Sequence, residues 1–266
     1  MVKCRDVMEV MERMAPKRLA EAWDNPGLLV GSPEDEVRRI FVCLDVREQM
    51  VERAQREGFQ MIVAHHPVIF RGLKKLRTDL PDGRLLGALL RANIAVFAAH
   101  TNLDCAEGGV NDVLAARIGL VPETVAPLGA ETLSESLGRV GKLSRSMDAR
   151  EFALQVKKRL GAATVRFVSG GNHPVEKIGL CSGSGAEFIE RAAFLGCDAF
   201  VTGDVRYHDA QRAAALGIHV IDAGHFATEQ PVVEIVAMRL TEEFSGKVEI
   251  VADDTARDFF ETVSEA

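Results

Sequence analysis

Three apolar runs in this chain end on residues of the types that can ligate metals. Ile62-Val63-Ala64 leads into His65-His66-Pro67. Ile94-Ala95-Val96-Phe97-Ala98-Ala99 leads into His100-Thr101-Asn102-Leu103-Asp104. Ile218 to Gly224 leads into His225, with Glu229 four residues later. His65, His66, Asp104, His225 and Glu229 together offer three imidazoles and two carboxylates. The set has no thiolate, which argues against a closed structural zinc site. Mixed nitrogen and oxygen donors suit zinc, manganese, iron or cobalt without distinguishing them. Five ligands exceed the three protein ligands of an ordinary catalytic zinc. They suit two divalent ions that share a carboxylate and keep places for water. Two such ions, about 3.5–4 Å apart, clamp a hydroxide and polarise a substrate oxygen.

The adjacent histidines need a particular place. In a regular strand neighbouring side chains point to opposite faces, so one ion rarely takes both. Just past a strand end each can serve a different ion, and Pro67, which has no N–H to give, stops the ladder there. That is the carboxyl edge at which open α/β sheets bind their ligands. His225 and Glu229 share a face if a helix begins near Phe226. If it begins later, Glu229 lies in its first turn. Each residue has a plainer use as well. Any single histidine serves as a hydrogen-bonded structural group, Asp104 could cap the helix after Gly109, and Glu229 could favour a helix N-terminus through its dipole. The joint occurrence carries the metal reading: four of the seven histidines stand at three strand ends.

The elements that position these residues alternate. Residues 5–23 have helical spacing, split by Pro16, and Asp24-Asn25-Pro26-Gly27 is a turn. Leu28–Val30 and Ile40–Leu44 read as strands, and residues 47–57 as a helix closed by Gly58. The strand Met61–Ala64, a helix over 83–92, the strand ending at Ala99 and a helix near 110–118 follow. This strand–helix rhythm favours a largely parallel sheet. Residues 119–137 lose periodicity and are the expected boundary. Beyond them come a strand at Gly138–Leu143, a helix over 148–160, and strands at Val165–Val168 and Ile178–Cys181. A helix near 186–195, the strand Ala199–Val201, a helix near 207–216 and the strand toward His225 follow. A long helix over 228–243, with Pro231 in its first turn, and a strand Val248–Val251 close the chain.

Bulk composition narrows the field. The 266 residues suffice for one large or two modest domains, and 47% hydrophobic with 27% charged is an ordinary globular balance. The net charge of −7 counts against wrapping nucleic acid. Five cysteines, Cys4, Cys43, Cys105, Cys181 and Cys197, form no C-x-x-C pair and read as reduced thiols used as small hydrophobes. They imply a reducing compartment. The N-terminal residues lack the apolar run of a signal peptide, and no stretch approaches a membrane span. A cytoplasmic protein with no membrane role is the expectation.

Several motifs occur in a fixed order: Trp23-Asp24-Asn25-Pro26-Gly27-Leu28, Ala64-His65-His66-Pro67, His100-Thr101-Asn102-Leu103-Asp104, Thr202-Gly203-Asp204 with Tyr207-His208, and Asp222-Ala223-Gly224-His225 with Thr228-Glu229. Together, over about residues 7–230, they resemble the GTP cyclohydrolase I type 2 homologue family, also called Nif-three-like dinuclear metal proteins. The resemblance implies two α/β domains with mixed, largely parallel sheets flanked by helices. It places a bimetal site in the cleft between them and a toroidal homohexamer around them. On this reading the domains are residues 1–125 with 226–266, and residues 126–225. The implied metal ligands are His65, His66, Asp104, His225 and Glu229. The chain is too short for the extra domain that some relatives insert mid-chain.

The expected activity is a hydrolase using two divalent ions per subunit on a small anionic substrate, a purine nucleotide being the named form, through a metal-bridging hydroxide. A non-catalytic metal-binding adaptor or metal-handling protein is the alternative. His100 and His208 are candidates for acid–base or orienting roles, each with a structural use beside it. Ser182-Gly183-Ser184-Gly185 lacks the third glycine of a dinucleotide fingerprint and reads as a tight turn, so no organic cofactor is expected. Arg71, Lys74, Lys75 and Arg77 follow His-His-Pro closely and suit either an anionic substrate or a solvated loop.

Overall fold

The structure, a computed structural model, describes residues 1–129 and 137–263. In chain order its elements are α1 (Cys4–Met14), β1 (Gly27–Val30), β2 (Arg39–Cys43), α2 (Glu48–Glu57), β3 (Met61–Ala64), α3 (Pro81–Ala92), β4 (Ala95–Ala98), α4 (Thr101–Cys105) and α5 (Val110–Ile118). Then come β5 (Ala126–Pro127), β6 (Arg139–Met147), α6 (Ala149–Leu160), β7 (Arg166–Val168), β8 (Val175–Leu180), α7 (Ile189–Phe194), β9 (Ala199–Thr202), α8 (Tyr207–Leu216), β10 (His219–Asp222), α9 (His225–Glu229), α10 (Pro231–Phe244) and β11 (Glu249–Ala252). Among the described residues no helix is long and apolar enough to cross a membrane.

The chain folds as two compact units. The first comprises Met1–Glu107 and Val233–Ala256. Its five-stranded sheet has the order β1-β4-β3-β2-β11. Only β1 runs antiparallel to its neighbour. All four residues of β3 are buried, as a parallel strand covered on both faces requires. Phe41, Cys43, Ile62, Ala64 and Val96 pack with Met50, Val51 and Ala54 of α2 and Leu86 and Leu89 of α3. The alternate residues Ile40, Val42, Met61 and Val63 are buried as well. Burying each of these side chains contributes about 1.5–3 kcal/mol.

The second unit comprises Gly108–Val232 and the chain from Arg257. Its six-stranded sheet has the order β5-β6-β8-β9-β10-β7, with β8-β9 and β9-β10 parallel and the other three pairings antiparallel. The alternation along its strands sorts two cores. Ala199, Val201 and Ile221 join Leu114, Ile118, Phe152 and Val156 of α5 and α6. Phe200 and Val220, one residue out of phase and so on the opposite face, join Ile189 and Ala192 of α7 and Ala213 of α8.

This division differs from the boundaries expected at 125/126 and 225/226. Leu114, Ala115, Ile118 and Leu120 belong to the core of the second unit because α5 packs on α6 and β6. The residues of α9 lie on that side too, and α9 packs against α5. The expected boundary stretch 119–137 lies partly outside the described residues. The long helix expected over 228–243 is two helices, since α9 ends at Glu229 and Pro231 opens α10. Proline lacks the N–H that a continuous helix needs beyond its first turn, so the chain restarts there.

Candidate metal centre

In the first unit the site grows from strand ends. Cys43 lies level with Ala64 and Ala64 with Ala98 in the parallel ladder. Continuing that register past the strands brings Asp45 level with His66, and His65 and His66 level with Ala99 and His100. The contacts follow. His65 Nδ1 is 2.8 Å from the Ala99 carbonyl, and His66 Nδ1 is 2.7 Å from Asp45 Oδ1. Antiparallel β1 contributes the turn before it. Gly27 pairs with Ala98, so Asp24 comes level with Thr101. Asp24 accepts from His100 Nδ1 at 2.8 Å, from the Thr101 amide at 3.0 Å and from the Thr101 hydroxyl at 2.5 Å.

These contacts determine which ring nitrogen each histidine offers. A carbonyl or an ionised carboxylate only accepts, so Nδ1 of His65, His66 and His100 is the donor. Neutral rings in this tautomer present Nε2 as a lone pair, and a metal-ligating histidine is oriented in this way through its other nitrogen. His65, His66 and His100 bring ligand atoms within 4.8 Å of one another. His65 Nε2 stands 3.6 Å from Asp104 Oδ1, beyond hydrogen-bond length. Asp104 does not cap the helix after Gly109. It lies inside α4, buried, and its amide bonds to the His100 carbonyl at 3.1 Å.

In the second unit α9 follows β10 directly. His225 and Glu229, one turn apart, face the same way with Nε2 and Oε2 3.0 Å apart. Asp204, past the end of β9, accepts from His225 Nδ1 at 2.7 Å. Thr202 pairs with Asp222 in the parallel ladder, so the same register carries Asp204 toward Gly224 and His225. Burial disfavours a charged His225, but hydrogen bonds and attraction from Glu229 and then Asp204 outweigh it and raise its pKa to about 9.

Ser182–Gly185, read from the sequence as a tight turn, is a bend between β8 and α7 that lies against this pair. The Gly183 amide donates to Thr228 Oγ1 at 2.9 Å, and the Gly203 amide donates to the Gly183 carbonyl at 2.8 Å. Gly183 has φ +59°, and a Cβ there would run into Glu229 Oε1 and approach His225 Cε1. The absent side chain leaves room beside Glu229 and His225.

His65, His66, His100 and Asp104 therefore gather in the first unit, and His225 and Glu229 in the second. His208 joins neither group. It is exposed on α8, with Nδ1 3.4 Å from Gln211 Oε1. Asp24 and Asp204 stand in the quoted motifs without an assigned site role, and Asp45 stands in none of them; the structure shows these three as the carboxylates that hold His100, His225 and His66 respectively. Asp45 follows the apolar run Ile40–Leu44, so the grammar that marked the histidines marked it too.

The geometry agrees with what the chain is similar to. Residues 2–258 match the Duf34/NIF3 (NGG1p interacting factor 3) family. The chain belongs to this family. Among its Duf34/NIF3 relatives is the "GTP cyclohydrolase 1 type 2 homolog" of Clostridium perfringens, 32% identical over 98% of this chain and 100% of that protein. The protein of the same name from Lactococcus lactis is 36% identical over 90% of this chain and 91% of that one. The crystal structure of a Bacillus cereus protein related to NIF3 shares the fold at TM-score 0.91 and 25% identity, covering 98% of this chain and 99% of that one. Mixed α/β architecture and histidine–carboxylate groups able to hold a metal ion are thus features of this Duf34/NIF3 member.

Proposed function

We propose that this protein is a hydrolase that uses two divalent metal ions on a small anionic substrate. His65, His66 and Asp104 would serve as ligands from the first unit, and His225 and Glu229 from the second. The observation that carries this reading is the common orientation of the histidines: each ligand histidine has its Nδ1 held by a carboxylate or carbonyl. The donor chemistry fits, since imidazole nitrogen and carboxylate oxygen are the ligands such ions take. The room that Gly183 leaves beside Glu229 and His225 fits as well. When bound, the ions supply Lewis acidity and an activated water.

The chain's own residues supply the rest. Asp24 holds the His100 ring so that its Nε2 serves as a proton acceptor beside His65 and His66. Asp45 and Asp204 fix two ligand rings and make them better donors. The name that these relatives carry makes GTP the first substrate to try. The homohexamer implied by the family resemblance belongs to this reading, and light scattering on the purified protein tests it.

Metal analysis of the purified protein, then a hydrolase screen over nucleotides with added manganese or zinc, tests the whole. Glu229→Ala is expected to abolish turnover and remove metal. Wild-type protein that holds metal and turns over no nucleotide would identify a metal-binding adaptor instead.

A further inference from the structure

A cluster of aromatic rings stands exposed beside His100. Trp23 is 59% exposed and Phe70 is 43% exposed. Their centroids are 5.7 Å apart with the planes tilted by 57°. Both rings also flank His100, at 6.1 Å and 6.0 Å. Large apolar rings left in water at the edge of a polar cluster mark a binding surface more often than a fault of packing.

Their positions are built, not incidental. Asp24, next to Trp23, grips His100 and Thr101. The Asn25 side-chain amide donates to the Ile69 carbonyl at 2.6 Å, which ties the residue before Phe70 to the same turn. One four-residue turn therefore places the tryptophan, the phenylalanine and the histidine together. The loop that follows Phe70 is exposed and cationic. Arg77 is paired with Asp79, but among the described residues Arg71, Lys74 and Lys75 have no ion-pair partner. Arg71, Lys74 and Lys75 thus set three cations within five residues in a chain of net charge −7.

We infer that Trp23 and Phe70 form the base-stacking wall of the substrate site, and that Arg71, Lys74 and Lys75 hold its phosphate. The ligand class is a planar heteroaromatic ring carrying phosphate, a purine nucleotide being the type. Stacking on tilted aromatic rings is tolerant of ring identity and strengthens with a large π-face. Lysine and arginine on a mobile-length stem suit a phosphate at variable reach. This inference rests on the proposed hydrolase reading for its place in catalysis, and it names what that reading left open.

Trp23 is the one tryptophan in the chain, so its fluorescence reports this wall alone. The test titrates the metal-loaded full-length protein with GMP, guanosine, ribose 5-phosphate and inorganic triphosphate. GMP is expected to quench Trp23 emission saturably, guanosine to do so with about tenfold weaker affinity, and ribose 5-phosphate and triphosphate to leave it unchanged. Phe70→Ala should weaken GMP about tenfold, the scale of one lost base–aromatic stack. Lys74→Ala with Lys75→Ala should weaken GMP and spare guanosine, a split that a folding defect would not produce. Emission unmoved by GMP, or moved equally by ribose 5-phosphate, overturns the inference. So does emission that depends on protein concentration and not on nucleotide, which would mean that a second copy covers this face through Leu73 and Leu76. Turnover has no part in the readout. Binding without hydrolysis leaves the inference standing and removes the hydrolase reading, while hydrolysis without a change at Trp23 does the reverse.

Discussion

Asp204 grips the Nδ1 of His225 at 2.7 Å from a left-handed backbone conformation, φ 54°. Aspartate is among the few non-glycine residues that enter that region readily. The turn after β9 thus carries a left-handed aspartate whose carboxylate meets the ring of His225, one of the groups that could hold a metal ion.

Asp204→Ala removes the group that holds the His225 ring. Metal affinity is expected to fall by about 10–100-fold, with the fold kept. Asp204→Asn retains an acceptor and should lose less. Metal titration of the two variants against wild type gives the order, and equal affinity in all three would show that His225 needs no such anchor.

Gly183→Ala puts a methyl where Glu229 Oε1 lies, on a backbone with φ +59°. Strain of about 1–3 kcal/mol is expected from the backbone alone. The readouts are a lower unfolding midpoint in urea together with reduced metal content. A variant of full metal content would mean that α9 shifts to make room.

Asp24 provides the pH dependence. Burial by itself raises a carboxyl pKa, but hydrogen bonds from His100 and Thr101 and the attraction of His100 outweigh it and hold Asp24 at about 2. A folded value below the ordinary 3.8 means stability that is present above that value and lost as pH falls through about 2. The contribution is about 2 kcal/mol. Asp24→Asn should therefore be less stable than wild type by that amount at neutral pH, and the gap should close between pH 4 and pH 2. A gap that persists undiminished to pH 2 would assign the effect to packing.

All five cysteines are buried and none forms a disulfide. Burial pushes the Cys4 and Cys197 thiols up to about 11 and raises the Cys43 thiol well above its ordinary value. Thiolate is the reactive form, so a thiol reagent at neutral pH should modify the native protein slowly and titrate five thiols after denaturation. Rapid labelling of the native protein at Cys4 or Cys197 would show that these thiols are not buried.

Much of the fold was legible because strand and helix periods are local. The four residues of β3 stand where the apolar run placed them, and Gly58 ends α2 as expected. The first sheet is parallel but for β1, in keeping with the strand–helix rhythm. The break between α9 and α10 was less legible, since Pro231 is compatible both with the first turn of a longer helix and with a fresh start.

The candidate site divides in the same way. The amino-acid sequence alone determined the ligand types and their stations at strand ends, because an apolar run that stops on histidine or aspartate is written in consecutive residues. Only the tertiary structure decided which carboxylate steadies which ring. Asp45 meets His66 because β2 lies beside β3 in one register, Asp24 meets His100 because β1 runs antiparallel to β4, and Asp204 meets His225 because β9 adjoins β10. Strand order and register are set by packing across the whole sheet, and a one-residue slip would turn each of those side chains to the other face.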